Sequence, residues 1–252
     1  MTLPDFIRRI KLLDEPRLAL FDADGTLWEN DIADDFTVWM LGTERIRTGK
    51  QWPEYKEIYS KDAPAGCRFL LSFFRGLTQT QLTTAVSEYW RDFMKLDYIA
   101  EPVEVLRHLA ATGFQIWVVT GSPTDILFPL QDKLPVHRCV GMDFEVDARG
   151  ILTGRHAGIS CAGEGKADKV KSLWPHVIQF AAGNARLDEA MLRLARDVAW
   201  VVHPHPDLEK VAKTEGWVVK PATKAPYGTS GWVSLEHELR ERGLPVPAYL
   251  RA

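Results

Sequence analysis

The chain has 252 residues, 46% hydrophobic and 26% charged, with a formal net charge of −3. This is globular composition, long enough for one large domain or two smaller ones, and interspersed acids and bases argue against nucleic acid as a partner. Three scattered cysteines, Cys67, Cys139 and Cys161, argue against a disulfide framework or zinc site and for a reducing, cytoplasmic setting. No apolar run approaches the ~18 residues of a membrane span, and charges interrupt "MTLPDFIRRIKLLDEPR" too often for a signal peptide.

In chain order, "RLALF" (17–21) reads as a short buried strand bounded by Pro16. It ends on Asp22 and Asp24, then Gly25 and Thr26. A plain turn is one reading, since Asp and Gly are ordinary turn residues. Residues 29–100 carry no good strand but several helical stretches, such as "ADDFTVWMLGTERI" and "TQLTTAVSEYWRDFMKL". They are expected to form a helical cap domain inserted into a core built from residues 1–28 and 101–252. The aromatics Trp28, Trp39, Trp52, Tyr89 and Trp90 read as packing, with a quaternary-ammonium cage as the alternative.

"EPVEVLRHLAATG" (101–113) is an amphipathic helix with Pro102 in its first turn and Gly113 at its C-cap. "FQIWVVT" (114–120) is a second strand, followed at Gly121 by a turn into a helix beginning at Pro123. "FEVDARGILTGRH" (144–156) reads as a β-hairpin about Gly150. The amphipathic stretches "KADKVKSLW" and "LDEAMLRLARD" flank a third strand, "VIQFAA" (177–182), which ends at Gly183; "VAWVV" (198–202) is the fourth. "HPHPD" (203–207) reads as a rigid connecting turn rather than a metal site. The last thirty residues, with "PYGTSGW" and "GLPVP", read as a surface-hugging tail. Strands alternating with helices predict an α/β fold, a Rossmann-like parallel sheet covered on both faces. Ligands bind such sheets at the strands' carboxyl ends, where Asp22, Thr120 and Gly183-Asn184 converge.

The set Asp22-x-Asp24-Gly25-Thr26, Thr120-Gly121, Lys166 and Gly183-Asn184-x-x-x-Asp188 resembles the four motifs of the haloacid dehalogenase superfamily. The helical insertion resembles that superfamily's cap of the phosphoserine phosphatase type. The resemblance spans the chain to about residue 220 and implies an Mg²⁺-dependent phosphatase acting on a small phosphorylated metabolite. By that resemblance Asp22 is the nucleophile, forming an aspartyl-phosphate, and Asp24 the general acid and base. Thr120, with the Gly121 and Ser122 backbone N–H groups near the next helix start, holds a phosphoryl oxygen; a helix-capping Thr120 is the compatible alternative. Lys166 stabilises the charge of nucleophile and phosphoryl group, with Lys169 and Lys171 as other candidates.

The fourth motif departs from the usual Gly-Asp-Gly-x-x-Asp, because Asn184 and Ala185 replace the first Asp and the second Gly. Mg²⁺ would be held by Asp22, the Asp24 carbonyl, Asn184 and Asp188, with lower affinity for want of a charge. Laid over phosphoserine phosphatase, Asp31 falls at the position that binds the substrate amine and Arg68 at that for the carboxylate, with Arg75 an equal candidate. Solvated helix-face charges are the alternative for both. Two further functional readings stand beside the phosphatase: a phosphotransferase or phosphomutase, and a catalytically weakened ligand-binding protein, for which Asn184 is the support. Neither substrate nor oligomeric state follows from the sequence.

Overall fold

Four apolar residues with no polar interruption, Leu18–Phe21, form β1, and all are buried. A strand covered on both faces needs no alternation, so "LALF" is a run rather than a pattern. In this computed structural model, which describes residues 4–10, 16–222 and 233–250, β1 is the central strand of a seven-stranded sheet. Its parallel neighbours are β2 (Gln115–Pro123) and β5 (Ile178–Gly183). Outside β2 lie β3 (Arg138–Val146), also parallel, and β4 (Leu152–Ala157), antiparallel to β3. Outside β5 lie β6 (Ala195–Val202) and β7 (Val218–Lys220), both parallel. From β1 the chain turns to one side for β2 and later to the other for β5. The order therefore reverses at β1, and a crevice opens beyond the carboxyl ends at such a switch point.

The segment between β1 and β2 is helical, as expected. It contains α1 (Ile32–Gly42), α2 (Trp52–Lys61), α3 (Ala63–Leu70), α4 (Gln79–Glu88) and a π-helical turn, Tyr89–Phe93. Local signals start these helices. Asp31 caps α1 by accepting the Asp34 N–H at 2.9 Å, Asp62 caps α3, and Thr78 and Gln81 form a capping box on α4. The aromatic residues build the insertion's own core: Phe36 stacks on Phe74 at 5.8 Å and meets Tyr89 edge-on at 5.2 Å. Trp28, Trp39, Trp52, Tyr89 and Trp90 are all buried, and each serves packing.

The insertion enters and leaves side by side: the Glu29 N–H donates to the Asp97 carbonyl at 3.0 Å and the Ile99 N–H to the Leu27 carbonyl at 2.9 Å. It then leans on the sheet domain at three further places. The Trp90 indole donates to the Ile126 carbonyl at 2.7 Å, Phe74 meets Phe144 edge-on at 5.5 Å, and the β3–β4 hairpin bonds residues 76–79. The sheet's connecting helices are α5 (Ala100–Ala111), which precedes β2, and α6 (Glu164–Leu173) and α8 (Pro206–Glu215), which follow β4 and β6.

Three expectations need correction. The helix expected from Pro123 begins one residue later and is of a different type: β2 runs through Pro123, which is the N-cap, and Thr124–Asp132 is 3₁₀-helical with Pro129 inside, whose missing N–H breaks an α-helical ladder. "LDEAMLRLARD" is only partly helical: a single turn, α7 (Glu189–Leu192), is followed by β6 from Ala195, which pairs with Ile178. The tail does more than hug the surface. Its α9 (Leu235–Glu241) packs on α1, and Arg242 bonds Asp35 Oδ1 at 2.5 Å; "PYGTSGW" lies outside the described residues. Among the described residues, no helix is long and apolar enough to cross a membrane.

Candidate active site

The floor of the switch-point crevice is a buried ion-pair chain. The Asp22 N–H donates to the Ala182 carbonyl at 2.8 Å, extending the β1–β5 ladder by one residue and fixing where the carboxylate starts. Asp22 Oδ1 accepts Lys166 Nζ at 2.6 Å, and Oδ2 accepts the Thr26 hydroxyl at 2.9 Å. The Lys166 ammonium also donates to Asp188 Oδ1 at 2.6 Å and the Val119 carbonyl at 3.1 Å, so its three protons have three partners. Asp188 Oδ2 accepts the Asn184 and Ala185 N–H groups, both at 2.9 Å. Gly183 is needed for that approach, since a Cβ there would lie 2.6 Å from Asp188 Cβ. Lys169 instead bonds the Gly141 carbonyl and Asp143, and Lys171 is exposed.

Burial sets the protonation balance. It pushes the Asp22 carboxyl up to about 7, helped by the nearby Asp188 charge and opposed by Lys166. Burial works against the Lys166 ammonium, but Asp188 and Asp22 outweigh it and hold lysine above its ordinary range.

Asp24 ties the sheet to the insertion. Gly25, at φ +76°, turns the chain back so that its N–H reaches the Trp28 carbonyl at 2.7 Å. Asp24 Oδ1 then accepts the Trp28 indole N–H at 2.8 Å and the Ile32 N–H, in the first turn of α1, at 2.9 Å. Its Oδ2 accepts the Ser122 hydroxyl at 2.8 Å and the Thr120 hydroxyl at 3.3 Å. Burial raises the Asp24 carboxyl, and these bonds from Ile32, Trp28 and Ser122 oppose the rise. Thr120 caps no helix: its hydroxyl accepts the Ser122 N–H at 3.0 Å, within β2.

These groups face one cavity of about 170 Å³, lined from the sheet side by Asp22, Asp24, Thr120, Gly121, Ser122, Lys166, Asn184 and Asp188. The insertion supplies the opposite wall: Asp31, Asp34, Tyr55, Tyr59, Cys67 and Leu70. Of the residues singled out from sequence, Arg68 and Arg75 are not brought there. Both are exposed, and among the described residues Arg68 reaches only Ser160 Oγ, at 3.5 Å. The reason is helical phase: Cys67 and Leu70 share the inward face of α3, and the next residue after Cys67 is rotated away by ~100°.

The sequence reading missed Asp34, Tyr55, Tyr59, Lys56 and His205. Tyr55 OH donates to Asp34 Oδ1 at 2.8 Å, and Lys56 Nζ, buried over the Trp52 ring at 4.3 Å, pairs with Asp34 Oδ2. This pairing joins α1 to α2 across 22 positions, and no local spacing signals it. His205, in the stretch read as a turn, lines the cavity as well, with burial lowering its imidazole below the ordinary range.

Residues 19–193, more than half the chain, match the haloacid dehalogenase-like hydrolase family. The chain belongs to that family. It is 22% identical over 218 residues to the histidinol-phosphatase of Neisseria meningitidis, covering 80% of this chain and 97% of that one. It is 28% identical over 227 residues to the phosphoserine phosphatase SerB1 of Mycobacterium tuberculosis, covering 82% and 71%. Its fold matches a Bordetella pertussis protein of unknown function, with a TM-score of 0.71 at 24% identity over 81% of this chain and 97% of that one. It also matches a substrate-bound phosphoserine phosphatase, with a TM-score of 0.59 at 17% identity over 91% and 99%. The family, the α/β fold and the helical insertion between β1 and β2 are thus established, and phosphatases are among the relatives.

Proposed function

We propose that the protein is a phosphomonoester hydrolase in which Asp22 attacks phosphorus, under a cap formed by residues 29–100. The observation that carries this is the buried Asp22 carboxylate, ion-paired at 2.6 Å to Lys166 and facing the cavity beside a second acid, Asp24. In the first step an Asp22 oxygen forms the bond to phosphorus as the ester P–O bond breaks, and Asp24 gives its proton to the departing alkoxide. In the second, water attacks the aspartyl-phosphate, its proton passes to Asp24, and phosphate leaves with the Asp22 carboxylate restored. Lys166 faces the charge that builds during both steps without having to reorganise. The Thr120 and Ser122 hydroxyls orient Asp24 and stand at the phosphoryl end of the cavity. The insertion walls the cavity opposite Asp22 and limits the access of bulk water to the first step.

Mg²⁺ suits the donors here in kind: the Asp22 carboxylate, the Asp24 carbonyl and the Asn184 amide oxygen are hard oxygens. The Asn184 side chain packs against this loop, since a Cβ on Gly25 would lie 2.0 Å from its Nδ2. Among the described residues, no group of three or more His, Cys, Asp or Glu side chains could hold a metal ion. Asp188 Oδ2 accepts two backbone amides and is filled, whereas each Asp22 oxygen accepts a single hydrogen bond, so Asp22 has the more lone pairs to offer the ion. When bound, Mg²⁺ would neutralise phosphoryl charge. The test is phosphate release from p-nitrophenyl phosphate and a monoester panel, with and without Mg²⁺. Release that Asp22→Asn abolishes supports the reading; no release by the wild type at any Mg²⁺ concentration, with Asn184→Asp equally inactive, overturns it.

A further inference from the structure

The insertion is fastened to the rest of the molecule unevenly. Gly76, Leu77 and Gln79 share backbone hydrogen bonds of 2.8–3.0 Å with the β3–β4 hairpin, and the π-helical turn is held by the Trp90 indole on the Ile126 carbonyl at 2.7 Å. The tail braces α1, where Leu239 packs against Gly42 and Arg242 pairs with Asp35. Between these anchors stand α2 and α3. Among the described residues, no backbone hydrogen bond joins residues 52–70 to the sheet domain. They meet it through side chains. Cys67 Sγ lies against Gly121, where a Cβ would come within 3.1 Å, and Pro64 lies against Gly163. Arg68 reaches Ser160 Oγ at 3.5 Å, the long limit of a hydrogen bond.

The two helices form one unit. Asp62, extended at φ −147° and ψ 90°, ends α2 and caps α3, and Gly66 lets α3 cross Tyr59, since a Cβ there would lie 2.6 Å from that residue. Short 3₁₀ stretches, Gly49–Gln51 and Leu71–Phe74, bracket the pair, and such stretches within helical runs often mark hinges. Tyr55, Tyr59, Cys67 and Leu70 on the wall opposite Asp22 all belong to it. Its tie to the anchored α1 is Asp34, which accepts the Tyr55 hydroxyl at 2.8 Å and pairs with Lys56. A buried ion pair gives up hydration in order to form, so it holds little net free energy over a state in which both charges are wet. Such a tie closes a lid without locking it.

We propose that the cavity is entered by lifting the α2–α3 pair alone, pivoting at Gly49–Gln51 and Leu71–Phe74 with the Asp34–Lys56 ion pair as the latch, while the rest of the insertion stays fixed on the sheet domain. This rests on the phosphatase reading in taking the cavity as the place where substrate binds.

The test staples the anchored part and leaves the α2–α3 pair free. Thr78 and Ile151 face each other across an antiparallel bridge, with backbone hydrogen bonds on either side. A non-hydrogen-bonded pair of this kind brings its Cα atoms to ~4.5 Å, within disulfide range. Opening is read on Cys67, which lines the cavity and is 8% exposed. Its labelling by N-ethylmaleimide, followed by mass spectrometry of its peptide, needs no turnover. Oxidised and reduced Thr78→Cys/Ile151→Cys should label Cys67, and turn over p-nitrophenyl phosphate, at rates within about threefold of each other, because opening is local. Lys56→Met, which removes the latch, should speed labelling by about tenfold or more. Labelling slowed by more than about threefold in the oxidised form would mean that the whole insertion must swing, and would overturn the proposal. An unchanged rate in Lys56→Met, or a Cys67 that labels in no form, would overturn it too. The staple leaves the latch untouched and decides the matter should Lys56→Met fail to fold. Absence of p-nitrophenyl phosphate release from every form is the failure of the phosphatase reading instead, and the labelling rates still decide this inference.

Discussion

Replacing Lys166 with methionine keeps the length of the side chain and deletes its charge. The ammonium is 2% exposed and bridges Asp22 and Asp188, each at 2.6 Å. Its loss leaves two buried carboxylates facing one another and the Val119 carbonyl without its donor. Breaking a buried pair by removing one partner costs about 3–5 kcal/mol, and solvent screening does not reduce this at so buried a site. For a chain of this size that is roughly 6–20 °C in Tm. The pH dependence has a definite sign. Without the lysine the Asp22 carboxyl moves further up, so the folded state binds its proton more tightly than the unfolded chain, and the variant regains stability as pH falls. Since burial already holds Asp22 at about 7 in the wild type, the gap should be widest near pH 8 and shrink steadily toward pH 5. Thermal denaturation of both proteins across that range measures it. A gap below about 1 kcal/mol at pH 8, or one unchanged down to pH 5, would refute the ion-pair chain as described.

Other perturbations probe the same floor. The logarithm of kcat/KM for p-nitrophenyl phosphate should fall as pH drops through about 7, because Asp22 attacks as the carboxylate and burial raises its pKa; a pH–rate profile without that limb contradicts the assignment. Asn184→Asp adds a charge beside Asp22 and Asp188, so Tm should drop without metal, while calorimetry should show Mg²⁺ bound at least tenfold more tightly, about 1.4 kcal/mol. Gly25→Ala combines a φ of +76° with a Cβ 2.0 Å from Asn184 Nδ2. It should lower kcat at least a hundredfold while costing roughly 1–3 kcal/mol of stability, measured by steady-state kinetics and denaturation. Asp24→Asn should slow an alkyl phosphate far more than p-nitrophenyl phosphate, whose leaving group needs no proton, and equal losses on both would remove Asp24 as the acid.

The sheet-side wall was legible because fully buried strands are short apolar runs, and Asp22, Thr120 and Asn184 interrupt or end those runs where the strands leave the sheet. The insertion's wall was not. Which face of α3 turns inward depends on packing, and counting along the chain put Arg68 where Cys67 and Leu70 stand. The Asp34–Lys56 pair is a contact between helices, and its acid reads in sequence as one of two helix-face charges, Asp34 and Asp35. Asp31 was picked out from sequence and lines the cavity, yet its second task, capping α1, is visible only in the hydrogen bond to Asp34. "LDEAMLRLARD" misled because its apolar spacing fits a helix, whereas β5 claims Ala195 onward for the sheet through Ile178.

The most direct measurement is chemical capture of the covalent intermediate. Enzyme turning over a monoester is quenched in acid, reduced with borohydride and digested, and the peptide containing residues 17–29 is sequenced by mass spectrometry. Conversion of Asp22 to homoserine, absent without substrate and absent in Asp22→Asn, is the expected result. Phosphate release that proceeds at full rate while Asp22 is recovered unmodified would contradict nucleophilic attack by Asp22.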